Sequence, residues 1–284
     1  MACNKRTGEI AWKVTPPTTA PPPAALGFAA MAAQFVHSAG SAAMSAGSQD
    51  KKREAEAFAD AGMAGDFSAA GGYAGSWSTP VVLQAGNHDE LLVVHALAVS
   101  AYDPQTGQEI WTCKGLPQQV FTSPAIGDGI LIATGHAMSG GTQACAVKLG
   151  GSGDVTATQR LWQKRMPNEC IGSGVVVDDR IYFVSEHGIA ICLDLTTGEK
   201  KWEKRLAGTS SSTGSWSSIV LADKKLFIVN QAGETFIVNA TPEFELLATN
   251  TIGDELTCAS PVISGGQLFL RTYEALWCIG KSSE

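Results

Sequence analysis

The side chains best suited to chemistry are His136, the adjacent Glu186 and His187, Asn230 with Gln231, and Thr272 with Tyr273. Asn168, Glu169 and the aromatics Trp77, Phe121 and Trp216 join them. An imidazole beside a carboxylate could move a proton. Two histidines and a carboxylate could ligate a metal. Amides and hydroxyls beside aromatic rings could hold a ligand at the mouth of a cavity. The first use is disfavoured because Glu186 and His187 share one tight loop, which predicts side chains that point apart. The second requires separate segments to converge on one axis. Contact with a ligand or partner is therefore the expectation, and no catalytic or metal-binding residue is assigned.

Other chemistries lack their signatures. The chain has no nucleophile elbow, no HExxH pair and no phosphate-cradling glycine loop. Its seven cysteines, at 3, 113, 145, 170, 192, 258 and 278, are never closer than 20 residues. That excludes a CxxC pair and a vicinal pair, so they read as small buried hydrophobes. The formal charge is −7 and the longest basic run is Lys51-Lys52-Arg53. A nucleic-acid partner needs a basic stripe to collect phosphates, so that class is excluded. The longest mostly apolar stretch, Ala24 to Val36, has 13 residues, too few to span a bilayer.

A repeat must position the candidate residues. Ala101 to Trp111 reads A-x-D-x-x-T-G-x-x-x-W, Cys192 to Trp202 reads C-x-D-x-x-T-G-E-x-x-W, and Ala2 to Trp12 reads A-x-N-x-x-T-G-E-x-x-W. A second pattern precedes it in Trp77-Ser-Thr-Pro80, Phe121-Thr-Ser-Pro124, Ile171-Gly-Ser-Gly174, Trp216-Ser-Ser-Ile219 and Cys258-Ala-Ser-Pro261, in steps of 44, 50, 45 and 42 residues. A period of 40 to 50 residues with short strands predicts propeller blades. Within a unit, strand one (Pro124–Ile126) turns through Gly127-Asp128-Gly129 into strand two (Ile130–Ala133). Strand three (Gly188–Leu193) joins strand four (Lys200–Arg205) through the Thr-Gly turn. With strand one innermost, the one–two and three–four turns share one face. The two–three loops and the four–one connections share the other, and every candidate named above falls on that second face.

Two units have a degraded Thr-Gly motif: Ala146–Trp162 carries an insertion, and Val238–Ala248 lacks both Gly and Trp. The final unit lacks its fourth strand. Residues 15–75 break the rhythm with 19 alanines, clustered prolines and a Gly/Ser/Ala tract. They read as an inserted linker, largely disordered, with a short helix near Gln49–Ala61. The division is thus 1–14, the end of a preceding or closing blade; 15–75, linker; and 76–284, blades.

These segments resemble those of the quinoprotein-type β-propellers, the PQQ-binding-like and BamB-like repeat proteins. On that resemblance Trp12, Trp111, Trp162 and Trp202, with Gly8, Gly107 and Gly198, belong to a tryptophan-docking motif found once per blade. Leu276-Trp277-Cys278-Ile279-Gly280-Lys281 also resembles the C-terminus of a subgroup of bacterial secreted or envelope repeat proteins. The resemblance implies an all-β propeller of four-stranded antiparallel blades, about five of them here, within a larger seven- or eight-bladed fold. It also implies a periplasmic or secreted location. Dehydrogenases of the family hold PQQ with a vicinal disulfide, a calcium ion and a catalytic Asp. No residue set here carries that site over, so PQQ and calcium rest on family precedent alone.

The expected function is a non-catalytic scaffold of the bacterial envelope that binds protein or peptide partners at the loop face. The contacts would be His136, Glu186, His187, Asn230, Gln231, Thr272, Tyr273, Trp77 and Trp216. Two alternatives stand beside it: a quinone-dependent dehydrogenase relative whose cofactor residues lie in blades missing from this chain, and a truncated product without independent function. Met1–Lys13 has no apolar core of a leader peptide, and the chain reads as starting part-way through a longer protein. An open arc of blades with exposed edges, prone to association, is expected.

Overall fold

The computed structural model describes residues 2–14, 75–137, 141–208, 214–253 and 255–280. The linker expected over 15–75 lies outside the described residues except for Gly75, which with Ser76 forms a short strand pairing parallel with Gln119–Val120. Among the described residues every regular element is a strand.

Four blades are complete. The first consists of Val81–Ala85, His88–His95, Ala98–Tyr102 and Glu109–Lys114, and the second of Ala125–Gly127, Ile130–Ala137, Gly141–Lys148 and Arg160–Arg165. The third is Val175–Val177, Arg180–Val184, Ile189–Asp194 and Lys200–Arg205; the fourth is Val220–Ala222, Lys225–Val229, Glu234–Asn239 and Leu246–Thr251. The fifth has three strands, Val262–Ser264, Gln267–Arg271 and Leu276–Ile279. Within each blade consecutive strands pair antiparallel, the meander of a propeller blade. Strand two of the second blade runs to Ala137, longer than the sequence predicts, because it pairs residue for residue with Gly141–Lys148.

Turn chemistry explains the register. The one–two turns place positive φ at Asp128 and Gly129, at Asp223 and Lys224, and at Gly265 and Gly266. Positive φ at both central residues is the type I′ geometry that matches strand twist. The Thr-Gly turns repeat one hydrogen-bond set. Asp103 Oδ1 accepts from the Gln105 and Thr106 amides at 2.7 and 2.9 Å, and Asp194 Oδ1 from Thr196 and Thr197 at 3.1 and 2.9 Å. Asn4 Oδ1 does the same for Arg6 and Thr7. These amides hold the Asp103 and Asp194 carboxyls below the usual range, Asp194 with added help from Lys201.

The turns also receive tryptophans from the preceding strand four. Trp162 Nε1 donates to Leu195 O at 2.9 Å with its ring against Gly198, and Trp12 Nε1 donates to Pro104 O at 2.9 Å with its ring against Gly107. Trp202 bonds Thr241 O at 3.4 Å and packs edge-on against Phe244, 5.1 Å between centroids. Trp111 behaves differently. It is fully buried, but its Nε1 donates to Glu90 Oε2 at 3.0 Å within its own blade. The insertion in the second blade accounts for this: Gly153–Asp154 folds back and pairs parallel with Trp111–Thr112, Val155 joins the core around the ring, and Lys114 meets Asp154 at 2.8 Å.

The core is three apolar layers between successive blades, centred on Trp111, Trp162 and Trp202. The innermost strands are stitched by a ladder of hydroxyls at the third position of the W-S-T-P repeat. The amides of Thr79, Ser123, Ser173 and Ser218 donate to the hydroxyls of Ser123, Ser173, Ser218 and Ser260, at 3.0, 2.9, 3.0 and 2.9 Å. At the far end the fifth sheet is open, with Leu276 71% and Ile279 45% exposed. Ile10–Trp12 pairs with Ala2–Cys3 and shares no ladder with Leu276–Ile279 among the described residues.

Candidate functional site

The two–three loops and the leading loops of strand one form a continuous row, as the topology requires. Backbone hydrogen bonds set it out. The Glu186 amide donates to Glu169 O at 2.8 Å, Ser215 to Glu186 O at 3.1 Å, Gln231 to Gly214 O at 2.9 Å, Thr257 to Gln231 O at 3.0 Å and Tyr273 to Leu256 O at 3.1 Å. His136 pairs with Gln119 at the equivalent place in the second blade. Each loop is thus tied both to its own blade and to the next. Gly214 is required by this closeness, since a β-carbon there would fall 1.3 Å from Glu186 O.

Aromatics stand at the first position of three of the repeats, Trp77, Phe121 and Trp216, and Tyr273 stands in the last two–three loop. Trp77 and Phe121 from adjacent blades stack at 5.0 Å and 13°. Trp77, Trp216 and Tyr273 are 54, 47 and 67% exposed. Water-facing rings of that size cost free energy unless something covers them. Beside the stack, Ser78 Oγ is buried with no hydrogen-bond partner among the described residues.

The ionisable groups gather between the second and third blades. His136 Nδ1 lies 3.8 Å from Glu169 Oε2 and accepts or donates at 3.1 Å with Thr142 Oγ1. His187 Nε2 lies 3.6 Å from Glu186 Oε1. This corrects the expectation that Glu186 and His187 point apart. Strict alternation of side chains holds on a strand, whereas these residues sit in a turn that closes at Gly188, φ +71°. Burial pushes the Glu169 carboxyl up, opposed by His136 and His187 and reinforced by the charge of Glu186. Neither carboxylate accepts a hydrogen bond from a described residue, nor does either meet a lysine or arginine within 4.0 Å.

Two of the candidates, Asn230 and Thr272, are buried and hydrogen-bonded within their own turns. Asn230 is buried; its Oδ1 accepts from the Ala232 and Glu234 amides at 3.0 and 2.9 Å, and its Nδ2 donates to Glu234 Oε2 at 2.6 Å. Thr272 is buried too, its hydroxyl shared between Glu255 and the turn backbone of Glu274 and Ala275. Both hold the turns that carry Gln231, partly buried, and Tyr273, exposed. Gln231 Nε2 contacts Cys258 Sγ at 3.7 Å, and Cys258 contacts Tyr273 Oη at 3.5 Å. His95, which opens the two–three loop of the first blade as Glu186 does in the third, bonds Ser100 Oγ at 3.1 Å; the repeat register alone identifies it.

A quinone–calcium site does not fit these residues. Among the described residues no three of His, Cys, Asp and Glu converge as metal donors. All seven cysteines are free thiols far apart in sequence, so no vicinal disulfide can form.

Comparison with known proteins bears on the fold. The family described as "Outer membrane protein assembly factor BamB" matches residues 95–283, about two thirds of the chain. No protein of curated function matches the sequence. In structure the chain is similar to BamB from Moraxella catarrhalis, at a TM-score of 0.54 and 13% identity, over 70% of this chain and 56% of that one. It is also similar to the computationally designed Ika8 protein, with a TM-score of 0.51, 13% identity, and 70 and 57% coverage. The chain thus spans just over half the length of these two structures.

Proposed function

Because this chain belongs to the BamB family of outer membrane protein assembly factors, we propose that it is a non-catalytic propeller scaffold of the bacterial cell envelope that binds a protein or peptide partner at its loop face. The observation that carries this reading is the row of exposed rings, Trp77, Trp216 and Tyr273, on one face built from the loops of successive blades. The same face holds no converging set of metal donors among its described residues. Large exposed aromatics backed by rigid backbone are what protein interfaces use as anchors, because they bury much area at little cost in side-chain entropy. The stitched loops keep the surface preorganised, which reduces the ordering cost of association. The opposite face presents the small polar Thr-Gly turns, with Gln105 and Thr196 exposed.

The test is site-specific photocrosslinking of the chain expressed in the bacterial periplasm. A benzophenone side chain at Trp216 or Tyr273 should give discrete protein adducts, and one at Gln105 or Thr196 should give none. Equal adducts from both faces, or adducts from the Thr-Gly face alone, would reject the reading.

A further inference from the structure

The loop face carries more information than its aromaticity. Three of its features lie along one row: the Trp77–Phe121 stack, the Glu169 and Glu186 carboxylates, and exposed Trp216. The two carboxylates are only 17 and 29% exposed, yet each has just a histidine as its ionic neighbour, at 3.8 and 3.6 Å. Arg165 and Arg205 close the fourth strands of the second and third blades, and neither lies within 4.0 Å of these carboxylates. Arg205 Nη1 is engaged with His187 O at 2.9 Å. A partly buried carboxylate with no lysine or arginine beside it keeps most of its charge available to an incoming cation. Two of them, in the same row of loops as the Trp77–Phe121 stack and exposed Trp216, make a place where a cation can gain both an ion pair and a π contact.

From this geometry we infer that the loop face recognises an extended, lysine- or arginine-bearing peptide segment, whose basic side chains meet Glu169 and Glu186 and whose stem methylenes or guanidinium planes lie on Trp216 and the Trp77–Phe121 stack. The inference rests on the loop-face reading above and narrows it to a basic partner. The row crosses all five blades, from Trp77 to Tyr273, so its length suits a chain segment rather than a single amine. The formal charge of −7 adds long-range attraction for such a segment.

The experiment uses the full chain and four fluorescent probes: a basic, an acidic and a glutamine-rich octapeptide of equal aromatic content, and a labelled lysine amide. Anisotropy titrations should show the basic peptide bound, the acidic and neutral ones at least tenfold weaker, and binding of the basic one falling as salt rises from 50 to 300 mM. Glu186→Gln and Glu169→Gln should each weaken it roughly three- to tenfold. Trp216→Ala should weaken it roughly threefold or more. Circular dichroism and the melting temperature of each variant report whether the fold survives. Equal binding of acidic and basic peptides, equal binding of the lysine amide, or no peptide binding at all would overturn the inference. If crosslinks from Trp216 and Tyr273 persist in those cases, the scaffold reading stands and only the basic specificity falls. If the crosslinks are absent too, both fall.

Discussion

Replacing Gly198 by alanine isolates the docking of one blade on the next. Gly198 sits at φ +66°, and a methyl group there would lie 2.7 Å from Trp162 Cδ2 and 2.9 Å from Cε2. A non-glycine residue in the left-handed region costs about 1 kcal/mol or somewhat more. The ring must also shift, which breaks its 2.9 Å bond to Leu195 O, a loss of about 1 kcal/mol. Trp162 is only 8% exposed, so displacing it opens packing worth a further 1–2 kcal/mol, roughly. The sum is about 3–4 kcal/mol. Gly129→Ala is the control: φ is +70° but nothing lies within 4 Å of the new methyl, so about 1 kcal/mol of conformational cost remains. Gly107→Ala should fall between them. Its methyl would meet Trp12 at 2.6 Å, but Trp12 belongs to a separate two-stranded sheet that can lift away. Urea unfolding followed by tryptophan fluorescence and far-ultraviolet dichroism gives the midpoints and slopes needed. Equal midpoints for Gly198→Ala and Gly129→Ala would refute the docking account.

Other perturbations test other parts of the structure. Trp111→Phe keeps an aromatic ring but removes the indole donor to Oε2 of the Glu90 carboxylate, 2% exposed, leaving His88 at 3.1 Å on Oε1; the cost should exceed that of Trp202→Phe by about 1 kcal/mol in the same unfolding assay. Ser173→Ala removes the acceptor of the Ser123 amide and should cost about 1 kcal/mol, with faster hydrogen exchange at Ser123 than at Ser218. Glu169 is held above its ordinary pKa, so the folded state binds its proton more tightly than the unfolded chain does. Its ionisation therefore lowers stability as pH rises through that window. Glu169→Gln should melt at or above the wild-type temperature at pH 7, with the difference vanishing at lower pH; a lower melting temperature at pH 7 would contradict this. Burial pushes the Cys145 and Cys170 thiols up to about 12, so a disulfide reagent should modify exposed Cys3 and Cys278 quickly and these two only on unfolding.

The blades are legible in the sequence where residue type and backbone geometry correspond closely. Asp or Asn, Thr and Gly at fixed offsets specify one turn, and strand four in Glu109–Lys114 and Lys200–Arg205 has the boundaries its Trp spacing predicts. The serine ladder is visible only in retrospect. Its residues, Thr79, Ser123, Ser173, Ser218 and Ser260, align in the repeat, yet a hydroxyl before a Pro or Gly, as in four of the five, reads as ordinary loop composition, and its partner lies in the next blade. Glu90 is not legible at all. A glutamate on a strand reads as solvated, and only the fold-back of Gly153–Asp154 brings its blade the burial that makes Trp111 its donor. At the loop face the sequence identifies the loops but not the roles within them. Asn230 and Thr272 spend their hydrogen bonds on turn backbone, while Glu169 gains its importance from neighbours in two other segments.

Repetition carries a hazard that the junction between the first and second blades addresses. Similar modules, each offering a serine to its neighbour, can be joined in the wrong order during folding or traded between molecules, a characteristic failure of repeat proteins. The ladder cannot prevent this, because its rungs are alike. The junction around Trp111 can. Gly153–Asp154 recognises the Trp111–Thr112 edge and Lys114 together, and among the described residues no other blade offers a fourth-strand edge with its tryptophan held by a glutamate of its own blade. A second blade docked against any other outer strand would leave its insertion unpaired and its Asp154 without Lys114. This irregular seam acts as an address label in the series, fixing which blade is first and, through it, the order in which every later loop reaches the loop face.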